Sequence, residues 1–209
     1  MGRNTGAVCR ICRREARKLF LKGDRCYTPK CGVERRPYPP GQHGQTRRKV
    51  TDYAMQLREK QALRHRYGMA EKQLRRYFAM AERGKGVKGE ALLQLMERRL
   101  DNVVYRLGIA SSRVEARQMV VHRHIAVDSR TAGTPSMLLR PGQVVAVRPQ
   151  RRSLPLFQQA AQRAAARRGV PTWLSFEPEA LAGKVLSLPR REEIDTEATE
   201  QLVVEFYSR

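Results

Sequence analysis

Residues 98–108 read Arg98-Arg99-Leu100-Asp101-Asn102-Val103-Val104-Tyr105-Arg106-Leu107-Gly108. Leu100, Val103, Val104 and Leu107 recur at helical spacing and extend a series begun by Leu92, Leu93 and Met96. Gly108 supplies a stop, so the spacing predicts a helical region with one apolar, core-facing side. Just beyond it, Ser112-Arg113-Val114-Glu115 fits a capping box and predicts a short helix starting at Ser112. Ala116, Met119 and Val120 would face inward. Arg113 and Arg117, four apart, would share another face suited to phosphate. Ile125, Ala126 and Val127 then read as a strand, Asp128-Ser129-Arg130 as a turn, and residues 144–148 as a second strand after Arg140-Pro141-Gly142. The expectation is a small module of helices and a short sheet over residues 99–162.

Upstream, Thr51 is a plausible N-cap for a helix over residues 51–67, with Tyr53, Leu57, Leu63 and Tyr67 as its apolar stripe. Arg58, Lys60, Arg64 and Arg66 decorate that helix. A second helix is expected over residues 70–83, with Leu74, Tyr77, Phe78 and Ala81 on one face. Downstream, Ser153 and Pro155 open a helix to about residue 168, and residues 173–188 read as core and loop packing. Leu202-Val203-Val204-Glu205-Phe206-Tyr207 reads as strand-like. The fold class is therefore α+β, with four parts expected: an arm at 1–50, a helical body at 51–98, the module at 99–162, and a segment at 163–209 returning to the body.

The 209 residues carry 42 Lys+Arg against 20 Asp+Glu, a formal charge of +22. Self-repulsion at that charge disfavours compactness unless a polyanion offsets it. Arg exceeds Lys throughout, and its planar donor fork suits phosphate and stacks on bases. These features point to nucleic acid. No apolar run approaches the ~18 residues of a membrane helix, and the N-terminus lacks a signal-peptide core. The reading is a soluble, cytosolic chain with neither membrane nor small-molecule substrate as partner. Glu192, Glu193, Asp195, Glu197 and Glu200 reverse the charge near the C-terminus. Phosphate would repel them, which assigns that region to protein contacts.

Cys9, Cys12, Cys26 and Cys31 form a C-x2-C-x13-C-x4-C pattern. Two close pairs on a loop can converge on one tetrahedral ion, which predicts a zinc site, with an iron–sulfur cluster as the rival on the same thiolates. Arg10, Arg13, Arg14, Arg25 and Lys30 are expected to lower the thiol pKa and favour a metal. In so polar a segment the metal would supply much of the folding energy. After the cysteines, Arg35-Arg36-Pro37-Tyr38-Pro39-Pro40-Gly41-Gln42-His43-Gly44 excludes a regular helix. Tyr38 and His43 can stack on bases, and Arg35, Arg36 and Gln42 can bond phosphates or base edges. Candidate RNA contacts also include Arg3, Arg10, Arg13, Arg14, Lys18, Lys22, Arg25, Lys30, Arg47, Arg48 and Lys49 in the arm, and Arg58, Lys60, Arg64 and Arg66 on the helix that follows. In the module they are Arg113, Arg117, His122, Arg123 and His124.

Catalysis finds little support. Gly84-x-Gly86-x-x-Gly89 matches a dinucleotide fingerprint by spacing but follows a helix rather than a strand. Arg99-Leu100-Asp101 resembles part of the pseudouridine synthase active-site motif, with Arg98 in place of its glycine. An RNA-modifying enzyme and a zinc-dependent DNA-binding regulator remain the alternatives.

The cysteine quartet, residues 36–44, residues 98–108 and the ending Glu205-Phe206-Tyr207-Ser208-Arg209 together resemble the family of the fourth protein of the bacterial small ribosomal subunit, over essentially the whole chain. The resemblance implies a metal-bearing basic arm, a helical body and an inserted RNA-binding module. It implies direct binding to small-subunit ribosomal RNA, nucleation of subunit assembly, a position where mRNA enters the subunit, and contact with the fifth small-subunit protein that influences accuracy. Two departures stand out. Arg123 replaces a family glycine between His122 and His124, and so carries strain if its φ is positive. Asp128-Ser129 replaces an Asn-Gly turn, which suggests a longer loop.

Overall fold

The computed structural model describes residues 6–46, 49–84, 86–158 and 169–208. It forms two compact units, residues 1–92 with 196–209 and residues 93–195. No helix among the described residues is long and apolar enough to cross a membrane.

In the first unit, α1 (Val8–Arg14), a 3-10 turn (Gly23–Tyr27) and the single-turn α2 (Gly32–Arg35) make up the cysteine arm. Residues 36–46 form no helix or strand. α3 (Asp52–Arg66) starts where expected: the Thr51 hydroxyl accepts the Ala54 N–H at 3.3 Å. α4 (Glu71–Arg83) buries Leu74, Tyr77, Phe78 and Ala81, the face its spacing predicts.

Residues 200–207 are helical, not a strand: α9 (Glu200–Tyr207) packs on α3. The apolar run misleads because its length suits a strand. The side chains that turn inward, Val203 (buried), Phe206 and Tyr207, are three and four residues apart, which is the helix period. Phe206 meets Tyr53 at 5.8 Å and Tyr207 meets Phe78 at 4.9 Å between ring centroids. Lys60, predicted as surface decoration, is buried here. Its Nζ lies 4.6 Å from the Phe206 ring centroid and 2.9 Å from Glu71 Oε1. Tyr207 donates to the same carboxylate oxygen at 2.8 Å. Burial opposes ionisation of Glu71, but the bonds from Lys60 and Tyr207 and the nearby cations prevail and hold its carboxyl below the usual range.

The division between the units falls within α5 (Lys88–Glu97). The continuous helical region expected from residues 92–107 is broken at Arg98 and Arg99, and α6 (Leu100–Arg106) begins after an extended Arg99. The break has a physical cause. Arg99 is fully buried and grips Asp101 through two bonds, Nε to Oδ1 at 2.9 Å and Nη2 to Oδ2 at 2.6 Å. The backbone N–H groups of Leu100 and Asp101 are taken by the Met137 and Pro135 carbonyls, at 2.8 and 3.1 Å. Beside this pair the carboxylate of Glu97, also fully buried, accepts two bonds from Arg106 and one from Asn102 Nδ2, which also reaches the Glu97 carbonyl.

α7 (Arg113–Val121) starts with its capping hydroxyl in place, Ser112 Oγ accepting from Glu115 N–H at 3.2 Å. Glu115 reaches back to the N–H of Ser111 rather than of Ser112. Among the described residues the second unit holds one antiparallel sheet, order β2-β1-β3-β5-β4, with β1 (Ile125–Val127), β2 (Arg130–Thr131), β3 (Val144–Val147), β4 (Leu174–Glu177) and β5 (Ala182–Val185). Two of its strands thus come from beyond residue 162, in a stretch expected to be core and loop. Their apolar residues interleave with Ser175, Gly183 and Lys184, which thins the alternation signal.

Val145, Val147, Val185 and Leu174 turn one sheet face onto Val103, Leu107, Met119 and Val120. Gly183 is required there, because a Cβ would lie 2.4 Å from a Leu107 methyl and 2.8 Å from the Ser175 carbonyl oxygen. α8 (Pro155–Gln158) carries the buried Phe157 into the same core. The helix expected to continue to residue 168 lies, past Gln158, outside the described residues.

Candidate nucleic-acid interface

The arm contradicts the metal expectation. Among the described residues no group of three or more His, Cys, Asp or Glu is arranged to hold a metal ion. The four cysteines, all free thiols, line one small cavity with Val8, Leu21 and Val33. Burial pushes the Cys12 thiol up to about 11 and raises Cys26 as well, against the expectation that neighbouring arginines lower them. Desolvation is the largest influence on both thiols and outweighs the neighbouring cations. The arm is thus a thiol-lined packing unit rather than a zinc or iron–sulfur site.

The arm instead takes its core from α3. Cys12 and Leu19 cluster with Ala62, and Arg17 Nη2 lies 2.6 Å from Glu59 Oε2. Arg58 reaches Glu15 at 3.4 Å. Burial raises the Glu15 carboxyl despite Arg58, Arg17 and Arg14 nearby.

On the arm surface Arg10, Arg14, Lys22, Arg25, Lys30, Arg35, Arg36, Gln42, His43 and Lys49 are exposed. Arg3, Arg47 and Arg48 lie outside the described residues. Arg13 is turned inward: its guanidinium lies 5.0 Å from the Tyr38 ring centroid, and Nε donates to the Tyr38 carbonyl at 2.9 Å. Lys18 pairs with Glu34. The proline-glycine loop closes on itself. A Cβ at Gly44 would sit 2.0 Å from the Pro39 carbonyl oxygen, so glycine serves the loop's own fold as well as any close partner.

On α3, Arg66 is buried like Lys60, and Arg58 and Arg64 are half-buried. His65 beside them is pushed down to about 4 by burial, with Arg64 and Arg58 adding. The outer side of α4 presents Lys72, Arg75 and Arg76, exposed cations that the sequence reading passed over because only the apolar face of that helix drew attention.

In the second unit Arg113 and Arg117 do not form an outward basic face. Arg113 is buried, with Nε donating to Asn102 Oδ1 at 2.7 Å and the guanidinium 4.5 Å from the Tyr105 ring centroid. Arg117 pairs with Asp101 at 3.3 Å. The buried carboxylate and amide of α6 attract them more strongly than solvent does. The same bonds occupy Asp101, which removes the residue that an enzyme reading needed.

The exposed chemistry gathers where α7 ends. Arg123 N–H bonds the Val120 carbonyl and His124 N–H the Met119 carbonyl, a Schellman ending with Arg123 at φ +58. The anticipated strain is present. His122 and His124 stack with ring centroids 6.1 Å apart, and Phe157 abuts His124 edge-on at 5.9 Å. Burial, then Arg151, His122 and Arg148, hold the His124 imidazole below its ordinary value. Arg148 and Arg151 were missed by the sequence reading; the signal was the Arg148-x-x-Arg151-Arg152 run closing β3. The Asp128-Ser129 turn is a tight two-residue turn rather than a longer loop. Both residues have positive φ, +47 and +67, and Val127 pairs Arg130 across it. Asp128 caps the neighbouring strand, accepting from Val144 N–H at 2.9 Å and Gln143 Nε2 at 2.8 Å, which holds its carboxyl low.

Comparison with known proteins agrees with this layout. Residues 3–97 match the family described as Ribosomal protein S4/S9 N-terminal domain, and residues 98–145 match the S4 domain. Small ribosomal subunit protein uS4A of Symbiobacterium thermophilum is 60% identical over 209 residues, covering 100% of both chains. The uS4 proteins of Pelotomaculum thermopropionicum and Solidesulfovibrio magneticus are 55% and 54% identical, each over the full length of both chains. Two family matches that divide the chain at residues 97 and 98, with full-length relatives of this identity, settle its kinship: the chain belongs to the uS4 family of small ribosomal subunit proteins.

Proposed function

We propose that the chain contacts small-subunit ribosomal RNA with two surfaces, the basic arm and the end of α7, and so nucleates folding of the surrounding RNA. As a uS4-family protein it is a structural constituent of the small subunit that binds ribosomal RNA, and it is not an enzyme. Its place is the small ribosomal subunit, in the cytoplasm.

The observation that carries the proposal is the sorting of cations by burial. Lys60, Arg66 and Arg113 are consumed inside the fold, whereas Arg10, Arg14, Lys22, Lys30, Arg35 and Arg36 stay exposed. Exposed arginines and lysines displace counterions from phosphates, and recognition is mainly of shape, because side chains do not read the deep major groove of duplex RNA. Lys18, Arg25, Tyr38, Gln42, His43, Lys49, Arg58 and Arg64 extend the arm's contact set. His122, Arg123 and His124, with Arg148 and Arg151, make the second surface.

In this reading residues 1–50 and 51–98 act as arm and body and residues 99–162 as the core of the RNA-binding module; of the segment 163–209 only residues 196–209 return to the body, because β4 and β5 join the module's sheet. Glu192, Asp195 and Glu197 are exposed, and their charge suits a protein neighbour; the family resemblance makes that neighbour the fifth small-subunit protein. The same resemblance places mRNA close by. The test is a titration of the protein against small-subunit ribosomal RNA at several salt concentrations, with duplex DNA and unrelated RNA as competitors. Tight binding that survives excess competitor is expected. Binding that ignores RNA identity would reduce the interface to the general consequence of a +22 charge.

A further inference from the structure

Tyr27 is 50% exposed, although it is aromatic and close to buried Cys26. Its ring rests on Phe20, with centroids 5.0 Å apart and planes 30° from parallel. Phe20 holds φ at +54, a left-handed conformation unfavourable for a bulky residue. Leu19, next in the chain, is 1% exposed and anchors this strained position in the arm's core. The arm therefore holds one aromatic ring in an unfavourable backbone conformation beneath a second ring that is half open to solvent. Around it in sequence stand Lys22, Arg25 and Lys30, all exposed, with Asp24 the one acid on the turn.

We propose that the Phe20–Tyr27 pair is a stacking platform for an unpaired nucleobase of RNA, with Tyr27 as the contacting ring. The proposal rests on the ribosomal-RNA reading above. A base face is flat and polarisable, and it stacks on an aromatic ring whatever its identity. Phe20 keeps Tyr27 from folding back onto the protein, and the flanking cations hold the phosphates on either side of the stacked base. An apolar protein partner fits less well, because it would have to desolvate three cations to reach the ring.

The test uses the full-length protein and small-subunit ribosomal RNA. Tyr27→Leu is expected to weaken binding about 5- to 100-fold, with the salt dependence unchanged because no charge is removed. Tyr27→Phe is expected to bind as the parent does. Tyr27→Trp adds an emitter to the buried Trp173 already present in the chain, and RNA is expected to quench the added emission. Parent-like binding by Tyr27→Leu, a changed salt slope in that variant, or an unquenched Tyr27→Trp would each overturn the platform. Should Tyr27→Leu fail to fold by circular dichroism, the quenching of Tyr27→Trp decides alone. If the parent protein itself does not prefer ribosomal RNA, the ribosomal-RNA reading fails; if it does while the variants behave like the parent, the platform alone falls.

Discussion

At the scale of single residues, burial overrides what neighbouring charges suggest. Cys12, with its thiol pushed up to about 11, should be the slowest of the four cysteines to react with iodoacetamide near neutral pH, as read by mass spectrometry over time. His65 titrates below its ordinary value in the folded chain, at about 4 against 6.5. Its neutral form is thus favoured by folding, and the stability this adds is complete above about pH 6.5 and is lost as pH falls toward 4. His65→Gln should flatten that part of the stability-against-pH curve, measured by denaturant unfolding. Arg123→Gly separates two roles. It should raise stability by about 1 kcal/mol through release of the positive φ, and weaken RNA binding through loss of the cation.

Such assignments were only partly legible in the sequence. Thr51, Ser112 and the strain at Arg123 were readable because caps and left-handed positions have local signatures. The burial of Lys60 and Arg113 was not, because it depends on Glu71 and Asn102 arriving from other elements. The four-cysteine spacing predicts a metal centre, but spacing does not say that burial raises the Cys12 and Cys26 thiols.

At the scale of elements, helices with a clean apolar face were legible and short strands were not. α4 follows its periodicity, whereas β4 and β5 went unread because small and polar residues interrupt them. α9 shows the opposite failure, an apolar run too dense to reveal its period. Its attachment to α3 is specific: Phe206 and Tyr207 bracket Lys60 while Gln56 Nε2 donates to Glu205 at 2.9 Å. Lys60→Ala removes one partner of a mostly buried pair and should cost about 1.5–3 kcal/mol in urea unfolding. A Ser129→Gly change in the β1–β2 turn should stabilise the sheet unit modestly, because glycine suits the second position of a turn with two positive φ values.

At the scale of the whole molecule, the +22 charge governs solution behaviour. If six to ten phosphates are contacted, raising salt from about 50 to 200 mM should weaken RNA binding by about 10³–10⁵-fold, and filter binding across that range tests it. The composition announced a polyanionic partner plainly. It did not announce which cations are spent internally, since burial is a property of the fold.

The first unit joins residues 1–92 to residues 196–209, with α9 lying against α3. A chain synthesised from its N-terminus can assemble residues 93–195 while translation continues, but the arm-and-body unit lacks a wall until residues 200–207 have been added. A message cut short before residue 200 would yield a product with a finished sheet unit and a body open along Lys60 and Phe78. Quality control would meet that product as exposed apolar surface on a strongly cationic chain. Closure of the body is thus a late event in synthesis: the face along Lys60 and Phe78 is covered only once α9 has been made.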